Sequence, residues 1–122
     1  MGDHDSLHDR PTAAELVAAV REYLERDVMP ATEGRVAFHA RVAVNVLGMV
    51  ERELELGPAQ DAAEHERLVA LLGHEGTIDD LTAELARGIR DGSLDARRGE
   101  VVSHVRATVR AKLEVANPRY VS

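Results

Sequence analysis

A chain of 122 residues is one domain by length, large enough to bury a core unaided by metal, and without cysteine it has no disulfide, thiolate nucleophile or thiolate metal site. A net charge of −7 argues against nucleic acid as the main partner, because phosphate binding needs a concentrated positive face. No apolar run approaches the ~20 residues of a membrane span, and the opening MGDHDSLHDR lacks a signal-peptide core, so the chain is expected in the cytoplasm.

Residues 1–10 are polar and expected to be flexible; residues 11–122 are expected to form one helical bundle domain. Thr12-Ala13-Ala14-Glu15 is a capping box that starts helix 1, in which Leu16, Val20, Leu24 and Val28 recur every four residues. Met29-Pro30-Ala31-Thr32 then links helix 1 to an antiparallel neighbour.

That neighbour, over residues 33–56, organises the rest. At 100° per residue, Phe38, Val42, Val46, Val50 and Leu54, with Ala43, Leu47 and Met49, cover about half of its circumference. Val44 carries apolar surface still further round. So broad an arc predicts a central rod packed on several sides. On that expectation Val46→Asp would unfold the domain by burying an uncompensated charge.

Pro58 is expected to end the rod, with helix 3 following to Leu72 and turning Leu68, Val69 and Leu72 inward. Thr77 caps helix 4, which is expected to bury Ile78, Leu81, Leu85 and Ile89 before Gly92 stops it. Asp95 is expected to cap helix 5, whose Val101, Val105 and Val109 share a face with Lys112; Pro118 ends it. The sum is an all-α bundle of about five helices around a long apolar central helix. Helices 1, 2 and 5 make its long core and 3 and 4 a shorter hairpin. Fourteen arginines against one lysine, with abundant Ala and Val, is the bias of a GC-rich bacterial genome.

The polar residues on apolar arcs are the candidate chemistry. His39 lies mid-arc on helix 2, where a general base is one reading and a core histidine bonded to a neighbour is the simpler one. Arg41, Asn45, Gly48 and Arg52 follow at spacings of four, three and four and form one stripe. The stripe is either a buried seam that fixes helix register or an anion- or partner-facing surface. Lys112 either snorkels over apolar surface or marks a site. Ser103 and His104 are adjacent and so diverge on the helix. Asp61/His65 and Glu100/His104 are four apart, yet no motif places a third ligand, and no metal or cofactor is expected. Asn117, Arg119 and Tyr120 in the tail either dock on the bundle or reach a partner.

The segment RPTAAELVAAVREYLERDVMPATEGRVAFHARVAVNVLGMVERELELGP, together with RATVRAKLEVANPRY, resembles the DUF6285 family, bacterial domains of unknown function. FHARVAVNVL and KLEVANPRY are the most specific parts, and between them they hold His39, Arg41, Asn45, Lys112, Asn117, Arg119 and Tyr120. The resemblance implies a gene setting beside a phosphotransferase-like protein and an acyl-CoA dehydrogenase-like protein, hence a role near acyl-CoA catabolism. It implies no catalytic residues.

Two functions of different class follow. One is a non-catalytic accessory or interaction subunit for the phosphotransferase-like enzyme, with a homo-oligomer as its variant; it predicts an exposed apolar patch of roughly several hundred Å². The other is a binding protein or weak enzyme for an acyl-CoA or phosphate-bearing ligand, with Arg41, Arg52 and Lys112 around a pocket and His39 as proton acceptor.

Overall fold

A computed structural model describes residues 10–121. Most of the segment expected to be flexible, residues 1–9, therefore lies outside the described residues. No strand occurs among the described residues, and the fold is all-α.

Helix α1 spans Ala13–Tyr23. Its capping box forms as the sequence requires: the Glu15 N–H donates to Thr12 Oγ1 at 3.1 Å and the Thr12 N–H to Glu15 Oε1 at 2.8 Å. The chain stays helical beyond it through a π-turn, Leu24–Val28, and one more turn, Met29–Ala31. Pro30 accounts for the widening. Its ring crowds the carbonyl four residues back, and the longer Met29 N–H to Leu24 C=O bond opens the turn there.

Helix α2 runs unbroken from Gly34 to Leu72, 39 residues, with Pro58 inside it. The expected break at Pro58, and with it the separate third helix, does not occur. A proline disfavours helix in its predecessor largely through that residue's Cβ, and here the predecessor is Gly57, which has none and is buried. Gly73, at φ 84°, closes α2 with its N–H on the Val69 carbonyl at 2.8 Å. Helix α3 spans Ile78–Asp91, capped by Thr77 Oγ1, which accepts from the Asp80 N–H at 3.0 Å, and stopped by Gly92 at φ 83°. A 3₁₀ turn, Asp95–Arg97, leads into α4, Arg98–Ala116, so Asp95 is not its cap. A last 3₁₀ turn, Pro118–Tyr120, follows α4.

The chain divides into two compact units, the first ending at Glu55 and the second beginning at Leu56. In the first, α1 and the N-terminal part of α2 make an antiparallel hairpin, tied by Arg21 Nε donating to Glu51 Oε1 at 2.6 Å. The expected buried rod is not buried. Ala40 is the one buried side chain described in this unit, while Phe38 is 61% and Val46 46% exposed. One helix covers only one side of an arc that spans half the circumference, and the described residues of this unit supply no second one. The ground for expecting Val46→Asp to unfold the domain goes with it.

The core lies in the second unit: Leu68 and Leu71 of α2, Leu81 and Leu85 of α3, and Val101 of α4, flanked by Val69, Leu72, Ile78 and Leu94. Helices 1, 2 and 5 were expected to share the long core. Ile89 is exposed, and Gly88 is buried beside Leu85 instead. The inward face of α4 is also rotated from the valine row: Val101 and His104 are buried, whereas Val105 and Val109 face outward.

Candidate functional site

The second unit holds a polar seam between α2 and α4. Gln60 and Arg67 on α2 are seven apart, two helical turns, and so share a face. Gln60 Nε2 donates to the Ala111 carbonyl at 3.0 Å and to Glu114 Oε1 at 3.2 Å. Arg67 Nε donates to His104 Nδ1 at 3.2 Å and its Nη2 to Thr108 Oγ1 at 3.4 Å. His104 is 7% exposed, and burial first, then the Arg67 charge, lowers its pKa against an opposing pull from Glu64. A ring nitrogen that accepts from a guanidinium carries no proton, so His104 is neutral with its hydrogen on Nε2.

Arg67 and His104 line a pocket of about 350 Å³ with Leu71, Arg97, Gly99 and Ser103. Arg97 is spoken for. It donates to both Glu100 oxygens, at 2.7 and 2.8 Å, and to the Leu71 carbonyl, and this pairing holds the Glu100 carboxyl below its ordinary value. Arg67 is different: among the described residues no carboxylate forms an ion pair with it. Arg67 also reaches a second pocket, about 370 Å³, walled mainly by Ala59, Ala63, Ala107 and Ala111.

The residues singled out by the sequence fall elsewhere. His39 is exposed rather than sealed in a core; its ring meets Phe38 edge-on, centroids 5.5 Å apart. It lines an apolar pocket of about 380 Å³ with Leu24, Val28, Arg35, Val36 and Ala43, which includes neither Arg41 nor Arg52. Arg41 and Asn45 are exposed, so the stripe is not a buried seam. Arg52 is half-buried beside Gly48, where a Cβ would lie in ordinary contact, 3.5 Å from Arg52 Nη1. Lys112 is exposed and lines neither second-unit pocket. Asn117 is half-buried, and Arg119 and Tyr120 are exposed.

The possible metal pairs are otherwise engaged. His65 Nε2 donates to the Gly76 carbonyl at 3.0 Å, Glu100 binds Arg97, and His104 binds Arg67. Among the described residues no three His, Asp or Glu side chains gather around a point. The seam escaped notice in the sequence because its partners are 37 and 51 residues apart, and only helix pairing brings them together.

Apolar surface is the larger feature. Among the described residues fifteen large hydrophobic side chains are exposed, against six hydrophobic residues in the buried core. On α1 they are Leu16, Val20 and Tyr23, and on the first part of α2 they form a row four residues apart from Phe38 to Leu54. Val102, Val105 and Val109 make a shorter row on α4. No helix among the described residues is long and apolar enough to cross a membrane.

The family model for DUF6285, a domain of unknown function, matches residues 30–120, and the chain belongs to that family. No curated protein and no solved structure matches it.

Proposed function

We propose that this DUF6285 chain is a non-catalytic interaction subunit whose apolar rows are covered by other protein, with a phosphotransferase-like enzyme of acyl-CoA catabolism as the partner. An acyl-CoA dehydrogenase-like protein is the other partner that the same gene setting implies. The excess of exposed over buried large hydrophobic side chains carries this reading. Single exposed apolar residues are ordinary, but aligned rows favour docking, since covering the exposed half of each such side chain is worth roughly 1 kcal/mol. The test is co-expression with the phosphotransferase-like protein, followed by size-exclusion chromatography with light scattering. A stable hetero-complex is expected; two separate peaks would count against the partner.

One observation favours a second reading as a small-molecule binder. Arg67, with no carboxylate in an ion pair with it among the described residues, opens beside a neutral His104 into a pocket of about 350 Å³. On this reading the anion would sit at Arg67, and Arg41, Arg52 and Lys112 serve as controls. Titration calorimetry with phosphate and with an acyl-CoA tests it: binding lost in Arg67→Ala and kept in Lys112→Ala supports it, and no heat with either ligand removes it.

A further inference from the structure

In the first unit α1 and residues 34–55 of α2 form a hairpin around one buried side chain, Ala40. Two helices of this length do not offset their ordering entropy without a core. The side chains for a core are present but turned outward: Tyr23 is 58% exposed on α1, and Phe38, Val42 and Val46 are 61%, 42% and 46% exposed on α2. We propose that a second copy of this chain supplies the missing half, the two hairpins packing face to face through their α2 rows. The inference rests on the interaction reading above and names the occupant of one of its surfaces.

Three features select a second copy. First, the α2 row advances by four residues at each step, and ridges of that kind pack on ridges of the same kind. The row is therefore complementary to itself across a two-fold axis. Second, the five α2 side chains from Phe38 to Leu54, with Leu16, Val20 and Tyr23 of α1, present on the order of 500 Å² of apolar surface, more than half of the roughly 800 Å² per partner of a stable interface. Third, residues 10–55 hold six arginines and eight carboxylates, near enough to balance that two copies meet without strong repulsion.

Light scattering on the purified full chain reads the result directly. Twice the chain mass of 13.3 kDa is expected, falling to 13.3 kDa in the Val42→Glu/Val46→Glu double variant, while Val105→Glu in the second unit stays dimeric. A wild-type chain that is monomeric at high micromolar concentration overturns the inference, as does a dimer that survives the double variant. Because the chain has no cysteine, V46C with a nitroxide label gives a second readout from one mild substitution. A defined dipolar distance between two labels is expected, and a dimer without one places the contact elsewhere and overturns it. A monomer that still joins the phosphotransferase-like protein ends this inference but leaves the interaction reading standing; a dimer that joins nothing does the reverse.

Discussion

Two histidines of the second unit are held in opposite charge states. His74 donates through both ring nitrogens, Nδ1 to the Glu75 carbonyl and Nε2 to Glu84 Oε1, each at 2.8 Å. Only the imidazolium can do that, and the Glu75 carbonyl first, then Glu84, raises its pKa. His104 accepts at Nδ1, and burial lowers its pKa. The free value is about 6.5 for both. The unfolded chain therefore binds more protons than the folded one at His104, and fewer at His74. Stability from His104 is complete above about pH 6.5 and is lost as pH falls below it; stability from His74 is complete below about pH 6.5 and is lost as pH rises through its raised folded value. The lowered carboxyls of Glu15, Asp91 and Glu100 act only further into acid, below about pH 4.5. Urea unfolding across pH 5–8 is expected to lose its acid-side slope in His104→Gln and its alkaline-side slope in His74→Gln. Unchanged slopes would mean that these rings do not hold the assigned protons. The sequence marks His39 as the candidate base and weighs His104 only beside Ser103 and Glu100, not beside Arg67. Periodicity reports which residues are apolar, whereas a histidine's state depends on which groups the other helices bring to it.

At the scale of elements, the legible features were those decided within four or five residues. The Thr12–Glu15 box, the Thr77 cap and the Gly92 stop all form. Pro58 was illegible as a helix residue because its effect depends on Gly57 before it, and the rotated face of α4 because His104 and Thr108 interrupt the apolar pattern that marks an inward side. Gly88 was another silent position. Leu94 folds back onto α3 there, its N–H on the Gly88 carbonyl at 3.3 Å, and a Cβ on Gly88 would lie 2.6 Å from Leu94 Cδ1. Leu94 packs partly buried against the core cluster, and its Cγ, 2.9 Å from that Cβ, would have to move as well as its Cδ1. Gly88→Ala is therefore expected to destabilise the second unit by about 1–3 kcal/mol, despite the better helix propensity of alanine. A thermal melt checks it, and a variant as stable as wild type would show that the α3–α4 loop re-seats freely.

At the scale of the whole molecule, the all-α class, the family and the inward side chains of Leu68, Leu81 and Leu85 were legible, and the exposure of residues 33–56 was not. The broad arc of residues 33–56 is apolar yet not covered, because covering is a property of neighbours and among the described residues of the first unit α1 alone packs on it. The second unit closes a core from α2, α3 and α4 by itself. This asymmetry has a consequence for local stability, since amide protection follows buried apolar contact. In dilute solution, hydrogen exchange is expected to be fast through Ala13–Tyr23 and residues 34–55, and slow around Leu68, Leu81, Leu85 and Val101. Raising the protein concentration is expected to slow exchange in the first set alone, because association stabilises only the segment it covers. Uniform protection at every concentration would mean that the hairpin has a core within a single chain, and its outward rows would then need another explanation than a missing partner.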